Sequence, residues 1–202
     1  MTGHPSSVLP GVRYGTLERH GDARGSFREL WRASAFGPIE PGAAGAEPGA
    51  DPGADPGAEP RFVQANLSSS APGVLRGLHL HRRQLDHWTV LSGRAFVALV
   101  DVRQAISGDG PVVVEARELA TDDSVTIPAG VAHGFLALEP LELLYLVTNE
   151  YDGTDELGFA WDDPDAAVPW PALPGTADGR PILSDRDRSN PSLVELVARL
   201  RR

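Results

Sequence analysis

Apolar and polar residues alternate with a period of two through most of this chain, the pattern of half-buried β-strands rather than helices. A first strand is predicted over Val12–His20. Gly21–Trp31 follows as a Gly/Asp turn and a strand with Phe27 on one face and Arg28 on the other. From Arg61 the alternation is stronger: RFVQANLSSS puts Val63, Ala65 and Leu67 on one face, Gln64 and Asn66 on the other. Further strands are expected over Val74–Leu80, Asp86–Leu91, Arg94–Arg103, Pro111–Ala120, Ser124–Pro128, His133–Leu138 and Leu141–Tyr151, separated by Gly, Pro, Asp or Glu-Pro turns. Short strands at this spacing predict an all-β sandwich or barrel. Beyond Tyr151 the chain is turn-rich and closes on a short helix, with Asn190 as N-cap, Pro191 at the first helical position, apolar residues at 193, 194, 197 and 200, and arginines in its last turn.

The chemistry concentrates in Arg76–Gly93, which holds three of the six histidines. In a strand, His79 and His81 project to one face while Leu78 and Leu80 occupy the other. Imidazoles aimed into a sandwich interior mark a ligand cavity at the mouth of the fold.

Composition narrows the possibilities. A chain of 202 residues that is 41% apolar buries a proper core as one domain. No apolar run is long enough to cross a bilayer, the N-terminus lacks the pattern of a signal peptide, and there is no cysteine, so a cytoplasmic protein is expected. A net charge of −10 argues against general binding to nucleic acid or membrane. All 18 basic residues are arginine, whose planar fork suits phosphate. Residues 40–60 repeat Gly-Ala-acid-Pro four times, which blocks both helix and sheet and predicts a disordered acidic loop.

Two chemical readings follow from the spacing. His79-x-His81-x4-Asp86, followed by Pro128-x-Gly130-x2-His133, resembles the paired motifs of cupins. Three imidazoles and a carboxylate would suit a first-row divalent metal. Without a metal, His79 is a candidate general base, because imidazole titrates near neutrality. His81 and His87 are equally readable as hydrogen-bonded polar residues at the barrel mouth, and Arg24 as a solvated turn residue.

Eight stretches in order, GDARGSFRE, FVQANLSSS, VLRGLH, FVALVDVR, IPAGVAHGFLAL, LLYLVTNEYD, WDDPDAAVPWP and PILSDRD, resemble the dTDP-4-dehydrorhamnose 3,5-epimerase family of metal-free cupins. The resemblance implies a cupin-type jelly roll, commonly homodimeric, that uses no cofactor and acts on a nucleotide-linked 4-keto-6-deoxy sugar. It implies His79 as the base, Asp187 as the carboxylate that orients it, and Tyr145 as the acid on the opposite face of the sugar. His133 would be a second active-site histidine, Arg24 and Arg76 would hold the diphosphate, and Phe27, Glu29, Gln64 and Asn66 would line the pocket. Inversion of C3, C5 or both would pass through an enolate.

The chain departs from that family at three places. The lysine expected shortly after RGLH is replaced by Asp86 or His87, leaving Arg82, Arg83 or His81 as substitutes. The aromatic expected to stack on the base is Glu150, with Tyr151 kept beside it. Where glutamine is usual, two residues past the base, stands His81. A metal-dependent cupin isomerase or oxygenase using His79, His81, Asp86 and His133, and an inactive sugar-nucleotide binder, are therefore the competing readings.

Overall fold

The computed structural model describes residues 2–35, 61–172 and 179–201, so the Gly-Ala-acid-Pro repeat lies outside the described residues. The chain opens with β1 (Thr2–Pro5), β2 (Arg13–Thr16), β3 (Arg19–Asp22) and β4 (Gly25–Arg28). The central strands are β5 (Gln64–Ser70), β6 (Leu75–Leu80), β7 (Asp86–Ser92) and β8 (Arg94–Asp101), then α1 (Arg103–Ser107). After it come β9 (Val113–Ala120), β10 (Asp123–Ile127), β11 (Val131–Ala137), β12 (Leu141–Val147) and β13 (Leu157–Gly158). Two helices, α2 (Asp185–Arg188) and α3 (Leu193–Leu200), end the chain.

These strands build a two-sheet antiparallel jelly roll, a sandwich as the alternation predicts and the fold that the family resemblance implies. A six-stranded sheet runs β1-β2-β10-β7-β12-β5 and faces a five-stranded sheet, β13-β6-β11-β8-β9. The space between them is apolar at one end, where Tyr14, Trp88, Val90 and Val125 meet Val97, Leu99, Val131 and Phe135. The outer face of the five-stranded sheet is buried too. Leu78, Leu80, Ala98, Val100 and Ala132 pack there under Phe159, Ala166, Leu193 and Leu196, so α3 is a lid on the back of the sandwich. Both faces being covered explains why every residue of β11 is buried.

The helix differs in detail from the sequence expectation. Its N-cap is Ser192, not Asn190, because Ser192 and Glu195 form a reciprocal capping box. Leu196, rather than Val194, joins Leu193 in the core. The predicted first strand is also split. Between β2 and β3 the buried Leu17 bonds through its N–H to the Asp122 carbonyl, and the chain turns out into a hairpin, β3–β4, that among the described residues pairs only with itself. Asp122 anchors that hairpin by ion pairs with Arg19 and Arg28. Among the described residues, no helix is long and apolar enough to cross a membrane.

One irregularity sets up the cavity. On β6 and β11, His79 pairs with His133 but Arg76 pairs with Phe135, so β6 carries one extra residue between the two pairs. Residues three apart in a regular strand face opposite ways; the bulge lets Arg76 and His79 share a face. Gly77 makes it possible, with a φ of +134° and a backbone so close to β11 that a Cβ would stand 2.6 Å from the Gly134 Cα. Gly77→Ala is expected to lower stability by about 2 kcal/mol or more, read as a shifted urea midpoint at unchanged slope.

Candidate active site

At the open end of the sandwich the inner faces of both sheets turn polar and enclose a cavity of about 510 Å³. One wall is two cross-strand rows of the six-stranded sheet: Gln64, Val147 and Asp86 lie side by side, and Asn66, Tyr145 and Trp88 beside them. The facing wall carries His79 and His133, directly paired across β6 and β11. His81, Arg76, Asn149, Tyr151, Glu156, Arg186 and Asp187 complete the lining.

His79 is fixed from behind. Its Nε2 lies 2.7 Å from Asp187 Oδ1, and Asp187 is itself buried. A carboxylate accepts, so Nε2 carries the proton and donates, which leaves the Nδ1 lone pair free to act as a base. Asp187 sits in α2, where the Ser184 N-cap accepts from its backbone N–H and donates its hydroxyl to Oδ2 at 2.9 Å. Burial pushes this carboxyl up. The hydrogen bond and charge of His79, the Ser184 hydroxyl and Arg186 outweigh that effect and hold it below the usual carboxylate range.

Tyr145 stands on the other sheet, half-buried and lining the same cavity. Burial raises its pKa, the charges of Asp86 and Glu156 raise it further, and Arg76 opposes them. The phenol therefore holds its proton at neutral pH. Arg76 is steadied by Ser70 Oγ at 3.1 Å and the Ser69 carbonyl. Gln64 donates to Asn66 Oδ1 at 2.9 Å and accepts from the Tyr151 N–H. His133 is fully buried, its Nδ1 toward the Val131 carbonyl. Burial, partly offset by Asp86, pushes its pKa down to about 4.

The structure thus brings together His79, Asp187, Tyr145, Gln64, Asn66, Arg76 and His133. It does not bring Arg24, Phe27 or Glu29 to them. Arg24 pairs with Asp22 within its own turn, Glu29 with Arg32, and Phe27 is 68% exposed. Phe27 and Glu29 line a separate cavity of about 400 Å³ with Trp31 and His20. The hairpin forms a sheet of its own, so no ladder ties these residues to the strands bearing His79. Of the two residues that could replace the family lysine, Asp86 faces the cavity. His87 points to the opposite face of β7, bonded to Thr126 at 2.9 Å. Arg82 and Arg83 turn their backbone N–H groups to the Asp155 carboxylate and do not line the cavity. Sequence reading missed Arg186, Trp88, Gln84 and Glu156. Arg186 adjoins Asp187 in the PILSDRD stretch and was findable there; the others carry no local signal.

Comparison with known proteins shows the family and the fold. A family model described as dTDP-4-dehydrorhamnose 3,5-epimerase matches residues 6–195. The chain is 36% identical over 137 residues to the dTDP-4-dehydrorhamnose 3,5-epimerase of Pseudomonas aeruginosa, covering 66% of this chain and 73% of the relative. It superposes on the rmlC epimerase of Mycobacterium tuberculosis with a TM-score of 0.79 at 31% identity, over 98% of this chain and 92% of the other. A second structural neighbour is ChmJ from Streptomyces bikiniensis, a 3'-monoepimerase in complex with dTDP-quinovose. Its TM-score is 0.74 at 27% identity, covering 98% of this chain and 90% of that one.

His87 supplies a pH prediction. Burial pushes its pKa down to about 4, so between the ordinary value of 6.5 and 4 the unfolded chain binds a proton that the folded one refuses. Stability should fall as pH drops through that window, with His87 contributing on the order of 3 kcal/mol. Urea melts of wild type and His87→Gln across pH 7 to 4 check this; the variant's slope against pH should be shallower by about one proton.

Proposed function

The chain belongs to the dTDP-4-dehydrorhamnose 3,5-epimerase family, and from that premise we propose that it inverts C3, C5 or both of a dTDP-linked 4-keto-6-deoxy sugar, with His79 as base and Tyr145 as acid. The single observation that carries this reading is a base and an acid on opposite sheets of one cavity, with Asp187 gripping the base from behind.

The chemistry follows from those positions. A C–H next to the 4-keto group is weakly acidic, and His79 Nδ1 takes its proton while Nε2–H stays bonded to Asp187. The C–H electron pair becomes the enolate, and the carbonyl oxygen gains the negative charge. The imidazolium that forms is stabilised by the carboxylate, which also fixes its tautomer. Tyr145, kept protonated by its raised pKa, then delivers a proton to the other face of the same carbon, and the centre is inverted. Arg76 and Arg186 are the cations lining the cavity and suit the diphosphate. Gln64 and Asn66, locked to one another, present fixed polar groups beside Tyr145.

The two halves of the reaction can be separated. In deuterated solvent, His79→Ala should lose ~10²–10⁴-fold in isotope uptake at C3 and C5, and Asp187→Asn should also fall steeply. Tyr145→Phe should keep taking up deuterium, returned by His79 to the original face, while net inversion drops by ~10²-fold or more. NMR of a 4-keto sugar nucleotide follows both. Full uptake in His79→Ala, or inversion at the wild-type rate in Tyr145→Phe, would refute the assignment.

The protein is further read as a homodimer. Support comes from apolar side chains left in solvent by a single chain: Phe27, Trp31, Val63 and Leu67, the last two on or beside the outermost strand β5. Light scattering should give about twice the 21.5 kDa chain mass, and Leu67→Glu should shift the mass toward one chain.

A further inference from the structure

We propose that His81, Asp86 and His133 form a binding site for one divalent first-row transition metal on the cavity wall. The three come from different places, the residue just after β6, the start of β7 and the middle of β11, and all are buried. One donor atom from each lies within 4.8 Å of the others. The inference stands on this geometry and not on the epimerase reading.

The hydrogen bonds decide what these atoms are. His81 Nδ1 is 2.6 Å from the Asp155 carbonyl, and His133 Nδ1 is 3.0 Å from the Val131 carbonyl. A carbonyl oxygen only accepts, so each ring keeps its proton on Nδ1 and offers a bare lone pair at Nε2. His133 Nε2 lies 3.6 Å from Asp86 Oδ2, beyond a good hydrogen bond. Asp86 is held in place, with Oδ1 accepting from Gln84 at 2.7 Å and Oδ2 from the Trp88 indole at 3.2 Å.

Two imidazole lone pairs and a carboxylate therefore converge in a buried spot, three acceptors with no donor among them. Such a cluster is repulsive until a cation joins it. A backbone carbonyl bonded to the far nitrogen is also the usual way a metal-ligating histidine is oriented. Two nitrogens and one oxygen suit iron, cobalt, nickel or zinc rather than magnesium or calcium. His79 is not among the converging donors, so the four-residue set read from the sequence reduces to three. Three protein ligands leave coordination positions open, and all three residues line the cavity.

The test uses the full chain, stripped with chelator and titrated at neutral pH with Co²⁺ and with Zn²⁺. One equivalent per chain should bind with a dissociation constant in the micromolar range or below. Visible d–d bands should appear with cobalt, and the melting temperature should rise. His81→Gln and Asp86→Asn should each weaken binding by about 100-fold or more, while His79→Gln and His20→Gln leave it unchanged. Because substitution of the buried His133 risks misfolding, zinc is also added to wild type under NMR, where imidazole resonances of His81 and His133 should shift and those of His87 should not. Absence of heat and bands up to millimolar metal, affinity unaltered in Asp86→Asn, or zinc shifts confined to other histidines would overturn the site.

Discussion

A β-sandwich can carry polar side chains between its sheets only where each finds a partner, because an unsatisfied buried group costs about as much as several good contacts supply. This constraint organises the molecule. One end of the inter-sheet space is closed by Tyr14, Val90, Val125, Leu99 and Phe135; the other is left to imidazoles, carboxylates and amides. The imidazoles and the carboxylate at its centre are anchored: His79 by Asp187, His81 by the Asp155 carbonyl, His133 by the Val131 carbonyl, Asp86 by Gln84 and Trp88. The cavity is consequently a set of fixed donors and acceptors rather than a gap in the packing.

The C-terminal segment belongs to the same arrangement. Ile182 bridges to Val74 just ahead of β6, and Leu193 and Leu196 of α3 lock the segment onto the outer face of the five-stranded sheet. Between those two attachments sits α2, which carries Asp187 to the back of His79. Packing on the outside of the sandwich thus places the carboxylate that sets the tautomer of His79 on its inside.

The hairpin β3–β4 is the counterexample. Its motif GDARGSFRE is among the stretches that carry the family resemblance, yet in the single chain its side chains face solvent or each other. Arg19 and Arg28 hold it to Asp122, and apart from them it makes few ties to the sandwich. An apolar group as exposed as Phe27 is not stabilised where it stands, and a surface covering it would gain on the order of 2 kcal/mol from that side chain alone.

The sequence by itself determined the two-sheet class, since period-two alternation between Gly and Pro turns admits little else. It also determined the inward face of His79, through Leu78 and Leu80 on the other side, and of Gln64 and Asn66 on β5. It did not determine that Arg76 joins them. Strict alternation puts Arg76 with Leu78, and only the bulge at Gly77, forced by close approach to Gly134, turns it inward. Nor did it separate Asp86 from His87, or His79 from the cluster of His81, Asp86 and His133. Those divisions rest on partners 39, 74 and 108 residues away, Thr126 for His87, Asp155 for His81 and Asp187 for His79, and local spacing contains no information about them.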